Sequence, residues 1–207
     1  MKTTKIISIG FAAAITVAGA FPAEAYVLLS PRRKWASTPT VRVNTTGNST
    51  ITDSDRGVGK TAQAIGTWAN ANGGTTSSGA VRGDGTPVIE LHSNGNVCTG
   101  SCLAATLTGY YRQNPDGTYN IYDADVYTNQ RYDFTSTGEA NGCSGEFYIE
   151  GIMVHEVGHV IGIGHSNVAG STMYPSVGYC DNGPASLAND DKAAEGDLYG
   201  GGGKPRK

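Results

Sequence analysis

Histidine is scarce in this chain, with four in 207 residues. Charge is scarce as well: Asp, Glu, Lys and Arg make up 16%. The balance is mildly acidic, net −3, and no basic patch stands out before the C-terminal tail. That argues against nucleic acid as a partner. Beyond residue 20 no apolar run approaches the length of a membrane span. No internal repeat and no second domain can be traced. With 30 glycines and so few charges, many loops around a modest core are expected, not a helical bundle.

The N-terminus reads as an export signal. Lys2 and Lys5 form a short basic start, and Ile6 to Ala20 is an apolar run. Ala23-Glu24-Ala25 fits an A-x-A cleavage site. The expected organisation is a signal over 1–25, one domain over 26–200 and a flexible glycine-rich, basic tail over 201–207. Cleavage before Tyr26 leaves 13 basic and 17 acidic residues. The expected location is secreted, extracellular or periplasmic, with no membrane partner after cleavage and the chain acting as a monomer.

Four cysteines stand at 98, 102, 143 and 180. An even number in an exported chain favours disulfides, and four allow three pairings. The preferred set is the local pair Cys98–Cys102, which leaves Cys143–Cys180 to enclose the histidine-rich stretch. A cysteine metal site fits this spacing and compartment poorly.

Alternating Val41 and Val43 predict a strand over 38–44. Val58, Ala62, Ile65, Trp68 and Ala69 recur at helical spacing, which predicts a helix over 53–71 with Trp68 packed on a sheet. Asn72-Gly73-Gly74 stops it, and 73–86 reads as loop. Strands are predicted over 87–91 and 103–111. Asn114-Pro115-Asp116-Gly117 is a turn leading into a strand over 118–128. A final helix spans 187–199, capped by Gly200. Asn44-Thr45-Thr46 and Asn48-Ser49-Thr50 match the glycosylation acceptor pattern.

Three of the four histidines fall in HEVGHVIGIGHS, residues 155–166. In a helix, His155 and His159 project from one face toward one point. Two imidazoles so placed suit a tetrahedral zinc ion at about 2.0–2.1 Å. Gly162 can take the left-handed conformation that ends the helix, so His165 returns as a third ligand. Three protein ligands with one open position is the catalytic zinc pattern. Glu156, beside the first ligand, is placed as general base and not as ligand. His92 reads as an ordinary exposed histidine.

The extended spacing H-E-x-x-H-x-x-G-x-x-H is the metzincin signature. With Ser166 after the third histidine, the chain resembles metzincin zinc metalloproteases of the matrixin type. Ser171-Thr172-Met173-Tyr174-Pro175 resembles the matrixin Met-turn, whose methionine, here Met173, lies beneath the zinc. LANDDKAAEGDLYG, 187–200, resembles the family's C-terminal helix. There, aspartates matching Asp190 and Asp191 tie the helix to the domain interior or the N-terminus. The resemblance is sharp over about 147–200. Upstream only the order of elements fits.

The resemblance implies an α+β, zincin-like catalytic domain, a mixed twisted sheet above an active-site helix. It implies one catalytic Zn²⁺ and a protein or peptide substrate. It places the edge strand at the cleft's upper rim over 101–109. Leu103 and Ala104, with Tyr174 and Pro175, are the candidate substrate contacts. Several family features are missing: a cysteine-switch propeptide, the histidines of the structural zinc site, and the Pro-x-Tyr pocket wall, where Val177 replaces tyrosine. Tyr174 or Tyr179 could substitute in that wall. Calcium is a second ion to consider, on Asp116, Asp123 and Asp125. Two rival functions stay open: a zinc hydrolase of a non-protein substrate, and a secreted binding protein that keeps zinc for stability.

Overall fold

The computed structural model describes residues 6–8, 26–46, 54–91, 97–136 and 143–200. The 23–25 cleavage motif, Asn48, the first residue of the predicted 53–71 helix, His92 and the 201–207 tail lie outside these residues.

Among the described residues one large sheet carries the fold. Its strands are β1 (Ile6–Ser8), β2 (Arg33–Trp35), β3 (Thr40–Asn44), β4 (Asn72–Thr76), β5 (Val88–Glu90), β6 (Ala104–Gln113) and β7 (Tyr119–Thr128). The order is β1-β6-β7-β5-β3-β4. β2 also pairs with β7, alongside Tyr119 to Ile121, while β5 pairs farther along at Val126 and Tyr127. The sheet is mixed. The β2–β7, β3–β4, β3–β5 and β5–β7 pairs are parallel. The β6–β7 hairpin and the β1–β6 pair are antiparallel. A small parallel pair, β8 (Phe134–Thr135) and β9 (Phe147–Tyr148), precedes the main helix.

Three α-helices lie among the described residues: α1 (Ser54–Ile65), α2 (Ile149–Val160) and α3 (Asn189–Tyr199). None is long and apolar enough to cross a membrane. α2 is apolar on nearly every side, as a helix enclosed by protein must be. Ile149, Met153, Val154, Val157 and Val160 are all inaccessible. They share one core with Val41, Val43, Ile89 and Val126 of the sheet and with Ile65 near the end of α1. Gly200 closes α3 in the left-handed conformation, φ 88°.

The prediction for 53–86 needs three corrections. The helix ends at Ile65, not at 71. Trp68 lies beyond the helix, buried in the core it shares with the sheet, and its Nε1 donates to Val154 O of α2 at 2.7 Å. Ala69 is exposed. The Asn72–Thr76 stretch, read as stop and loop, is β4, paired in parallel with β3 from Thr40↔Asn72 to Asn44↔Thr76. Its side chains are exposed or half-buried, so no apolar alternation marks it. Backbone pairing alone makes it a strand, and glycine does not prevent that at a sheet edge. Asn44 is buried, and its Nδ2 donates to both Glu90 oxygens at 3.2 and 3.0 Å. It is therefore not an exposed glycosylation acceptor.

Disulfides join Cys98 to Cys102 and Cys143 to Cys180. The second links the segment before α2 to the segment after Met173.

Candidate active site

α2 presents His155 and His159 one turn apart. Their Nε2 atoms lie 3.1 Å apart. His165 comes from the chain beyond the helix, and the ligand atoms of all three histidines lie within 4.8 Å of one another. It is the one such group of His, Cys, Asp or Glu donors among the described residues. The ring of His155 meets those of His159 and His165 at centroid distances of 4.7 and 5.2 Å.

The backbone sets the tautomers. His155 Nδ1–H donates to Thr172 O at 2.7 Å, and His159 Nδ1–H donates to Ile163 O at 2.8 Å. Both Nε2 lone pairs are left facing inward. Burial pushes the pKa of each down to about 3, with neighbouring histidines adding to the effect. Burial lowers His165 too. The rings are thus neutral at ordinary pH, the form a metal ligand needs. Two inward lone pairs at this separation repel unless a cation lies between them. Ligands about 2.0–2.1 Å from a tetrahedral ion stand roughly 3.3 Å apart, so the donor set fits zinc.

Why can the chain turn so sharply after α2? Gly162 has φ +102°, and a Cβ there would collide with Arg33 O. The freed carbonyls at the helix end find donors from distant segments. Trp35 Nε1 donates to Val160 O at 2.8 Å. Tyr199 OH donates to Ile161 O at 2.7 Å. Leu29 N donates to Gly162 O at 3.1 Å, and Gly164 N to Val27 O at 2.7 Å.

Met173 lies 1% exposed against α2 at Gly158, where a Cβ would overlap its Sδ and crowd Trp68. Asp191 on α3 is fully buried and holds this turn from behind. It accepts from Thr172 N at 2.8 Å, Met173 N at 3.0 Å and Ala188 N at 2.8 Å. Ser166 Oγ donates to Asp190 Oδ2 at 2.6 Å. The two aspartates therefore tie α3 to both sides of the third histidine's loop.

Glu156 is 5% exposed. Burial pushes its pKa up, opposed by His155 and by Thr106, whose Oγ1 donates to Glu156 Oε2 at 2.6 Å. Leu103 is half-buried and Ala104 nearly buried at the start of β6, next to this carboxylate's strand partner. Tyr174 is 37% exposed, directly after Met173. Pro175 and Val177 are half-buried beyond it. Tyr179 is exposed and stacks on Phe147 at 4.5 Å.

The three aspartates considered for calcium do not form one site. Asp116 sits at the hairpin tip, bonded to Thr118 and paired with Lys34 at 2.8 Å. Those partners hold its carboxyl well below the usual range. Asp123 accepts from Gly83 N at 2.6 Å and Asp125 from Val88 N at 3.2 Å, both beneath the 81–88 loop. Burial, then Asp123, raises the Asp125 pKa to about 7, with Asp84 and Glu90 adding to it.

Sequence reasoning missed Thr106, Gly158, Trp35 and Tyr199. Each acts across 38 or more residues or through missing bulk, and no local pattern marks such a contact.

A mixed sheet lying over a helix with two of three converging histidines, closed by a methionine turn, is the metzincin arrangement. The family model described as Matrixin matches residues 90–200. The chain belongs to the matrixin family. It is 35% identical over 79 residues to Metalloendoproteinase 1 of Glycine max, covering 38% of this chain and 24% of that protein. It is 47% identical over 49 residues to karilysin of Tannerella forsythia, covering 24% and 10%. It is 42% identical over 50 residues to the macrophage metalloelastase of Oryctolagus cuniculus, covering 24% and 11%. The matched stretch is thus a tenth to a quarter of each relative's length.

Proposed function

We propose that this protein is a secreted zinc endopeptidase, acting as a single chain on extended protein segments after loss of residues 1–25. The observation that carries the reading is the convergence of three neutral imidazoles beside a buried glutamate. His155, His159 and His165 are the residues that would hold zinc. Bound there, the ion supplies a Lewis acid and lowers the pKa of water toward neutrality.

The remaining work falls to the chain. Glu156 Oε2 is engaged by Thr106, which leaves Oε1 to take the proton of the attacking water. Glu156 then delivers that proton to the leaving amine nitrogen. Burial raises its pKa and so its basicity, while His155 and the Thr106 hydroxyl oppose that shift and favour the ionised form that accepts the proton. The site lies beside β6, and an edge strand can align a peptide by backbone pairing. Support for this comes from Ile6–Ser8, which pairs antiparallel with Thr108 to Tyr110 on that edge. Leu103 and Ala104 are the proposed contacts on the strand, with Tyr174 and Pro175 on the opposite side. Two disulfides support an oxidising destination.

The test is cleavage of an unfolded protein by the purified chain beginning at Tyr26, with chelator, with zinc restored, and beside Glu156→Gln. Chelator-sensitive cleavage that zinc restores and the variant lacks is expected. A folded, zinc-loaded chain that cleaves no protein but hydrolyses another substrate class would overturn it.

A further inference from the structure

We infer that Thr106 is a positioning residue for Glu156, coupling the peptide-holding strand to the general base; this rests on the function proposed above. Thr106 belongs to β6, opposite Val126 on β7. Alternation along the strand puts Ala104, Thr106 and Thr108 on the face toward α2. Thr106 is 8% exposed and Glu156 5%. The hydroxyl has one proton and two acceptors in reach: Glu156 Oε2 at 2.6 Å and the Glu156 carbonyl at 3.2 Å. The shorter contact to the charged group takes it. The helix backbone already provides the carbonyl with a donor, so the hydroxyl is not needed there.

Packing alone does not call for threonine at this position. The neighbouring Ala104 and Ala105 show that the strand accepts small apolar side chains here. What the hydroxyl adds is a fixed donor on the strand whose outer edge would carry the substrate. The same hydrogen bond selects one carboxylate rotamer and sets its distance from that edge. A carboxylate without it can turn toward the histidine rings. Substrate binding along the edge does not need the contact, whereas proton transfer needs the carboxylate in one place.

The experiment compares the wild-type chain with Thr106→Val, which keeps shape without the hydroxyl, and Thr106→Ser, which restores it. Thr106→Val should lower kcat on a peptide about 10- to 100-fold, as expected for a lost hydrogen bond to a charged group, with KM within about 2-fold. Thr106→Ser should recover to within about 3-fold of wild type. Bound zinc should stay at one per chain in all three.

A second readout is independent of turnover. The carbon-13 carboxyl resonance of Glu156 in the metal-free chain, identified by its loss in Glu156→Gln, should move in the valine variant and not in the serine variant. If the valine variant folds poorly, Thr106→Ala is read in its place. Unchanged kcat with an unmoved resonance overturns the inference. So does a kcat loss that serine fails to rescue or that follows zinc loss. A wild-type chain that cleaves nothing instead overturns the proposed function, and the resonance still tests the contact.

Discussion

Two buried carboxyls sit on opposite faces of the same hairpin, and their surroundings differ. Glu156 lies on the α2 side, with the Thr106 hydroxyl on one oxygen and imidazole rings nearby. Asp125 lies on the loop side, opposite Leu107 in the pairing register. It has one backbone donor on Oδ1 and buried acids around it, and Oδ2 makes no hydrogen bond. Burial raises both pKa values. Only Glu156 has a side-chain hydroxyl donor and an imidazole beside it. Burial alone therefore does not mark a candidate for acid–base work; the neighbours do.

The largest effect expected from breaking this contrast is at Glu156. Glu156→Gln should lower turnover by about 10³-fold or more, within or beyond the usual range for a general base, while zinc stays bound. Metal analysis beside a peptide assay checks both halves. His159→Ala should lose zinc and activity together, and added zinc at micromolar levels should not restore either.

The next effect is structural. Gly158→Ala forces a methyl against Met173 and Trp68, and should destabilise the fold by about 1–3 kcal/mol, as overpacking does. Denaturant unfolding reads it directly.

Asp125 gives a subtler prediction. Its folded pKa near 7 exceeds the ordinary 3.8. The folded protein keeps a proton that the unfolded chain releases, so stability from this group falls as pH rises from about 4 to about 7 and then levels. Asp125→Asn should remove that decline and gain on the order of 1–2 kcal/mol at pH 8. Unfolding curves at pH 5 and pH 8 would show it; a larger gain at pH 5 than at pH 8 would contradict the assignment.

The smallest effect is at the helix end. Tyr199→Phe should cost about 1 kcal/mol, since the Ile161 carbonyl loses its donor.

The gathering of the candidate site's residues was largely legible in the sequence because they are local. His155, Glu156 and His159 lie within one helical turn, and Gly162 marks the bend by its own chemistry. The support was not legible. Thr106 meets Glu156 across 50 residues. Trp35 reaches Val160 across 125. The fold was readable where side chains alternate, as in β3 and the β6–β7 hairpin. It was misread at β4, where exposed Asn, Gly and Thr pair through backbone alone. Trp68 was expected within a helix, but α1 ends at Ile65, because helical spacing marks a buried face without marking where the helix stops.

The bend after α2 joins the earliest and latest parts of the chain. Val27, Leu29 and Trp35 hold it from one side, and Tyr199 from the other, while Asp191 secures the methionine turn. A ribosome makes residue 35 long before residue 199, and chains fold as they emerge. A half-made chain already carries the helix with two histidines, but lacks the partners that hold His165 and Met173 in place. The order of synthesis therefore delays the gathering of the proposed metal centre: its third histidine and methionine turn are not held until α3 has been translated and has docked.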